Sequence, residues 1–584
     1  MPHHHLPSSR PTAPFVPAAR SGTTLARRVV LAFGTMLALG PAALTMTSAP
    51  ASAQESAPGF THADTLRGSN GPDRFWWDVT FYDLAVRIDP SDSTIVGSNA
   101  ITYEVWEAGD ELDLQIDLQA PLVIDSIVMA GERLSVRSDG NAHFARVPGH
   151  QFAGDMHTVI VYYHGSPVVA ARPPWDGGFI WSTNADGEPW VATANQGLGA
   201  SVWWPNKDYQ GEEPDSQRIA LTVPDPMMNI SNGRLRGVVS NGDGTSTYEW
   251  FVASPINNYA IAVNAGRFAH WQETYNGLDG PLTLDFYPLA ENETAARRQW
   301  AQTQPMMRCF EEWFGPYPWY EDGFKMIESP HLGMEHQSAI AYGNGYRNGY
   351  LGRDLSGTGR GLEWDFIIIH EAAHEWWGNN ITTKDVADMW VHESFANYSE
   401  NLYTECLTGS KRAGSEYVIG TRSAIQNEAP IVGAYGVQNP GSSDMYYKGG
   451  NMLHLIRQLI DDDTRWRSIL RGLNTEFARQ TVTGAQVEEY IGAGSGLKLD
   501  KVFDQYLRTT MVPVLEWSIV ESTLWYRWTN VVEEFDMAVR VGLGGGFEVR
   551  LSPVEAWQGI AAPADATELV VDPDFYVESR RVER

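Results

Sequence analysis

The sequence predicts a multidomain α+β protein: a β-rich amino-terminal domain, a mostly helical domain after it, and a small carboxy-terminal β module. Three observations carry this expectation. The chain has 584 residues, too many for one hydrophobic core when domains run to about 150 residues. Its composition, 43% hydrophobic and 11% aromatic, is that of a folded protein and not of a disordered one. Apolar residues alternate in the first part, recur at helical spacing in the second, and alternate again near the end.

Residues 1–53 stand apart from the fold. Arg27 and Arg28 precede an apolar run from Val29 to Leu44, and small residues follow to Ala51-Ser52-Ala53. This is the pattern of a signal peptide with a long leading region, cleaved near Gln54, and it implies an extracellular or periplasmic protein. A membrane anchor is the competing reading, but Gly34, Gly40 and Pro41 interrupt a run that is already short for a bilayer span. No stable membrane anchor is therefore expected.

Residues 54–74 read as a linker and residues 75–270 as the β domain. Runs such as Ala85–Ile88 and Leu112–Ile116 alternate in polarity, and Asn232-Gly233 and Asn241–Gly244 are turn signals. Residues 271–510 read as the helical domain, with helices expected at Thr294–Phe314, Leu362–Trp377, Asp388–Thr404, Tyr446–Asp461 and Leu499–Leu507. Residues 511–584 return to strand-like segments, among them Leu524–Trp528 and Glu568–Val571.

The formal net charge is −30, and loss of residues 1–53 removes four arginines and no acid, leaving −34. With no basic stripe, a nucleic-acid partner would have to overcome repulsion from its phosphates and is excluded. Cys309 and Cys406 are the only cysteines. They exclude a dense disulfide framework and a cysteine-built zinc site, and the sequence leaves open whether they pair.

The chemistry concentrates in His370-Glu371-Ala372-Ala373-His374. Two imidazoles at i and i+4 share one helical face, the spacing that grips one Zn²⁺, with Glu371 beside the metal to deprotonate its water. An apolar run, Phe366–Ile369, leads into the motif, and Gly378-Asn379-Asn380 reads as a helix stop. Glu393, nineteen residues beyond His374, supplies a third ligand from a second helix. Three protein ligands with a fourth position open mark a catalytic site.

These residues resemble the aminopeptidase N and leukotriene-epoxide hydrolase family of gluzincin zinc metallopeptidases. The family's Gly-Asn after the zinc motif is matched by Trp377-Gly378-Asn379, and its Trp-x-x-Glu segment by Trp390-Val391-His392-Glu393. Its amine-recognition motif Gly-x-Met-Glu-Asn is matched by Leu332-Gly333-Met334-Glu335-His336, and its tyrosine motif by Tyr446-Tyr447-Lys448-Gly449. Phe314–Trp319 and Phe503–Leu507 extend the likeness over most of residues 75–575. The resemblance implies a saddle-like amino-terminal β domain and a thermolysin-like catalytic domain. It implies zinc held by His370, His374 and Glu393, Glu371 as general base, and Tyr446 as donor to the oxyanion. Substrate binding falls to Glu335, Gln196, Gly333 and Met334, with Glu335 and Gln196 holding the α-ammonium of a peptide. The activity implied is that of a secreted zinc aminopeptidase with one Zn²⁺ per chain. His336 replaces the family's Asn, and His392-Glu393-Ser394 replaces Asn-Glu-Gly.

Plainer readings compete at several positions. Glu400, seven residues after Glu393 on the same helical face, could orient a ligand histidine or be an exposed carboxylate. Tyr447, the tryptophans Trp203, Trp204 and Trp376, and the lone histidines His331 and His454 read as packing residues. Among other functions, an endopeptidase would lack an amine-binding carboxylate, a silent binding module would have lost Glu371 or a ligand, and an epoxide hydrolase would keep the same zinc motif.

Overall fold

The computed structural model describes residues 59–583, so the proposed signal peptide lies outside the described residues. Within 59–74, the stretch expected as linker, Thr61 caps a helix at His62–Gly68 through a reciprocal capping box with Asp64. Arg74, fully buried, pairs with Asp117 at 2.5 Å and donates to the Ser69 carbonyl. That buried pair ties the segment to the β-rich region.

Alternating runs rich in Val, Ile and Tyr give that region its strands. Its main sheet has eight strands in the order Arg234–Ser240, Thr245–Val252, Ser216–Pro224, Trp77–Asp89, Thr94–Val105, Met156–Gly165, Val123–Met129 and Glu132–Arg133. Leu84 sits opposite Asn99 on one antiparallel neighbour and Ile219 on the parallel one. The turn at Asn241–Gly244 joins the first two strands of the sheet as a hairpin, with positive φ at Gly242 and Gly244. A four-stranded sheet, in the order Gly178–Thr183, Pro189–Ala194, Asn264–Gly266 and Met228–Ile230, leads from Ala194 directly to Gln196.

Five strands open the helical region, in the order Trp271–Gly277, Gly280–Tyr287, Phe324–Glu328, Ile340–Tyr342 and Gly333–Met334, so Gly333–Met334 is an edge strand. The expected helix at Thr294–Phe314 is broken into Glu293–Gln299, a tight turn, and α1 (Thr303–Phe314). The helix expected at Leu362–Trp377 is α2 (Phe366–Ala373). Asp365 caps it by accepting from the Ile367 and Ile368 amides, which fixes its start. Its end is a wide turn over Glu375–Asn379, where Gly378 takes φ 118° and Trp377 leaves helical geometry. Helix α3 (Trp390–Thr408) is buried from Trp390 to Thr404, followed by α4 (Lys411–Gly420) and α5 (Tyr447–Ile460).

Helices at Lys411–Gly420, Asp463–Glu476 and Gly484–Ser495 are additions to the expected set. Their caps were present in the sequence: Ser410, Asp462, and Thr483 with Gln486 in a capping box. Cys309 and Cys406 form a disulfide joining α1 to α3.

The carboxy-terminal module has a four-stranded sheet built on Val514–Val520 and Thr523–Thr529 and a three-stranded sheet centred on Val539–Gly542. Its apolar residues, such as Leu515, Trp528 and Phe575, continue the core of the helical region, whereas the amino-terminal sheets enclose a second core. Trp203, Trp204 and Trp376 are fully buried, as packing residues should be. Among the described residues, no helix is long and apolar enough to cross a membrane.

Candidate active site

Helix α2 presents His370, with His374 one turn on at its C-cap, and the neighbouring α3 brings in Glu393. Ligand atoms of the three lie within 4.8 Å of one another. Nε2 of each histidine is 3.5 Å from Glu393 Oε2. The opposite ring nitrogens are already engaged. His370 Nδ1 lies 2.8 Å from Glu400 Oε1, and His374 Nδ1 lies 2.9 Å from the Trp377 carbonyl. That carbonyl is free to accept because the wide turn at Gly378 takes it out of the helical ladder. Both Nδ1 atoms therefore donate, and both Nε2 lone pairs face one point.

The donor set fits a divalent cation. Glu393 Oε2 is buried without a hydrogen-bond partner among the described residues, a costly state unless a positive charge sits beside it. Two imidazoles and a carboxylate are the ligand chemistry of zinc. Glu400 is itself braced. Tyr417 donates to its Oε2 at 2.5 Å and Asn397 to its Oε1 at 3.2 Å, so the plainer reading of an exposed carboxylate does not hold: Glu400 is fully buried.

Glu371 follows His370 on α2 and has no hydrogen-bond partner among the described residues, although it is 8% exposed. A β-carbon on Gly333 would stand 2.5 Å from Glu371 Oε1, so glycine lets the edge strand lie against this carboxylate without displacing it. Burial pushes the Glu371 carboxyl up to about 8, with Glu335 adding to the rise. A dication beside it acts in the opposite direction and favours the carboxylate.

Glu335 lies beyond the edge strand. Gln196 Nε2 donates to its Oε1 at 2.6 Å and reaches Glu393 Oε1 at 3.4 Å, while the Tyr259 hydroxyl donates to Glu335 Oε1 at 3.0 Å. Asn195, whose buried amide donates to the Tyr259 and Ile261 carbonyls, anchors the turn that carries Gln196. Asn379 donates to the Glu335 carbonyl at 2.9 Å, and the Ser338 amide donates to Glu375 at 2.9 Å. The turn after the zinc motif thus holds the backbone of the Glu335 segment in place. Burial, with the Glu393 carboxylate adding, raises the Glu335 carboxyl above its ordinary range. His336 is fully buried and burial pushes it down to about 3, so it packs as a neutral ring while Glu335 faces the cavity.

Tyr446 precedes α5, with its ring 6.1 Å from that of His370. Burial, then the Glu393 and Glu335 carboxylates, raise its phenol well above the ordinary range, which keeps the proton on the oxygen. A cavity of about 680 Å³ collects Gln196, Gly333, Met334, Glu335, His370, Glu371, His374, Glu393, Glu400 and Tyr446 in one lining. All ten residues singled out from the sequence meet there. Tyr259, Asn397 and Tyr417 brace them and were missed: Tyr259 and Tyr417 reach in from other elements and leave no local pattern, whereas Asn397, three residues before Glu400 on α3, stood at a helical spacing that could have shown it.

Two histidines and a glutamate from neighbouring helices, with a free glutamate beside them, define the site of a thermolysin-like metallohydrolase. Residues 299–506 match the Peptidase family M1 domain. Aminopeptidase N of Lactococcus lactis subsp. lactis is 27% identical over 233 residues, covering 35% of this chain and 26% of the relative. Leukotriene A-4 hydrolase of Xenopus laevis is 23% identical over 447 residues, covering 72% of this chain and 68% of the relative. The chain spans about a quarter of the length of the curated aminopeptidase N relatives it matches. Among solved structures, the M1 zinc metallopeptidase of Deinococcus radiodurans superposes with TM-score 0.62 at 19% identity, over 76% of this chain and 95% of that one. This likeness extends the shared fold well beyond the M1 domain.

Proposed function

We propose that the protein is a zinc-dependent aminopeptidase that hydrolyses the first peptide bond of peptides with a free amino terminus. The observation that carries the reading is the placement of Glu335 and Gln196, 2.6 Å apart, in the same cavity as the His370, His374 and Glu393 donor set. A carboxylate there meets an α-ammonium, which places the scissile bond one residue in. The Deinococcus enzyme, solved with a Tyr-Ser-Ala substrate, offers a parallel from the same fold.

His370, His374 and Glu393 would hold one Zn²⁺, with Glu400 and the Trp377 carbonyl fixing the imidazole tautomers. Bound zinc supplies Lewis acidity, polarising the scissile carbonyl and acidifying water. Glu371 takes the proton of the attacking water and delivers it to the departing nitrogen. Tyr446 donates its phenolic hydrogen bond to the carbonyl oxygen as negative charge develops there. Gly333 and Met334, on the edge strand, lie along the cavity and offer peptide backbone for the substrate to align with. The apolar run Val29–Leu44 behind Arg27 and Arg28 supports export of the mature chain.

Two measurements test this. Purified mature protein should contain one zinc per chain by elemental analysis, and His370→Ala with His374→Ala should remove it. Metal content indifferent to the double substitution would overturn the ligand assignment. Amino-terminal selectivity is tested by comparing free and acetylated aminoacyl amides on the parent and on Glu335→Ala. A charge-assisted hydrogen bond to a desolvated carboxylate contributes ~1.5–3 kcal/mol. Acetylation should therefore lower kcat/KM by roughly tenfold to a hundredfold in the parent. In Glu335→Ala the penalty should largely vanish. Equal cleavage of both substrates by the parent points instead to an endopeptidase.

A further inference from the structure

Ser394 follows Glu393 on α3, where the family pattern has glycine, and the chemistry above does not use it. It is fully buried. Its hydroxyl donates to the carbonyl of Met445 at 2.7 Å, and Met445 immediately precedes Tyr446. The tight turn Ser443–Met445 ends there, and Tyr446 has φ −74° and ψ −84°, outside helical geometry, before α5 begins at Tyr447. The peptide that sets the direction of the Tyr446 side chain is therefore gripped from the helix that carries Glu393.

The packing around this contact leaves little freedom. A β-carbon on Gly449 would stand 2.0 Å from Ser394 Oγ, and one on Gly450 would stand 2.2 Å from Asn397 Oδ1. Two successive glycines on α5 thus let it close onto the polar row Ser394, Asn397 and Glu400 of α3. Asn397 bonds Glu400, which bonds His370. One helix face therefore holds a metal-ligand histidine through one member of the row and the tyrosine segment through another. A hydroxyl that merely filled a gap would have no reason to meet the one carbonyl preceding Tyr446.

We propose that Ser394 is a positioning residue for Tyr446: its hydrogen bond to the Met445 carbonyl fixes the phenol in register with Glu393 and the metal position. The inference rests on the reading of Tyr446 as donor to the developing oxyanion. Its contribution should appear in kcat and not in substrate binding, because the phenol is engaged only as charge develops on the carbonyl.

The test is a double-mutant cycle on the zinc-loaded mature enzyme: parent, Ser394→Ala, Tyr446→Phe and the double variant, each assayed for kcat, KM and zinc content. Ser394→Ala should lower kcat by about threefold to tenfold, the effect of one lost neutral hydrogen bond, with KM and zinc content unchanged. In the Tyr446→Phe background the same substitution should change kcat by less than about twofold, since the group it positions is gone. Ser394→Gly removes the same hydroxyl without leaving a methyl group against Gly449, and supplies the comparison if the alanine variant folds poorly. An equal loss of kcat in both backgrounds, or no loss in the parent, overturns the proposal. Parent-like turnover by Tyr446→Phe alone would instead remove the donor role on which it rests, so the two failures are distinct.

Discussion

Glu371→Gln is expected to reduce kcat by about 10²–10⁴-fold, the range for loss of a positioned general base, while zinc content stays at the parent level. The amide matches the carboxylate in size, so it still fits against Gly333, where a β-carbon would stand only 2.5 Å from the Glu371 oxygen. It cannot accept a proton from water, nor return one to the leaving nitrogen. The ligand set is untouched, because His370 and His374 remain tied to Glu400 and the Trp377 carbonyl. Glu371 has no other hydrogen-bond partner to lose among the described residues, so the fold should melt as the parent does. Turnover and elemental analysis on the same preparation check this. A glutamine variant within tenfold of the parent would mean that another group moves the proton.

Much of the site was legible because its chemistry is written in short spacings. The i, i+4 histidines, Glu393 on the next helix and Glu400 two turns further are separations that a helix converts directly into shared faces. The helix at Leu362–Trp377 was drawn too long for a physical reason. Its apolar residues continue through Trp376 and Trp377, but a positive φ at Gly378 breaks the ladder, and apolar periodicity does not register one left-handed residue. Tyr259 and Tyr417 escaped because each bonds a residue brought to it only by tertiary packing, whereas Asn397, at i, i+3 to Glu400 on α3, was within reach of the same helical spacing and was overlooked. Tyr259 meets Glu335 across 76 residues. His336 was a visible departure of unknown meaning; it is buried as a neutral ring and is not among the residues lining the cavity, whereas Glu335 is. The pairing of Cys309 with Cys406 could not be inferred from spacing, since it depends on how α1 packs against α3.

Tyr446→Phe is expected to lower kcat by about 10²–10³-fold, the usual effect of removing one oxyanion donor, with little change in KM. The substitution removes a single oxygen. The ring that lies 6.1 Å from His370 stays, as does the backbone geometry that Ser394 grips, so packing and metal retention should be preserved. The phenol is suited to donate because burial and the nearby carboxylates hold its proton, and a donor fixed in place costs no reorganisation when charge appears on the carbonyl oxygen. An interaction made only as that charge develops lowers kcat and kcat/KM together, whereas loss of a ground-state contact would raise KM at constant kcat. Steady-state kinetics on one aminoacyl amide, with zinc measured in parallel, separate the two cases. A rise in KM alone would assign Tyr446 to substrate binding, and an unchanged kcat would require the oxyanion to be stabilised by the metal without help from the phenol.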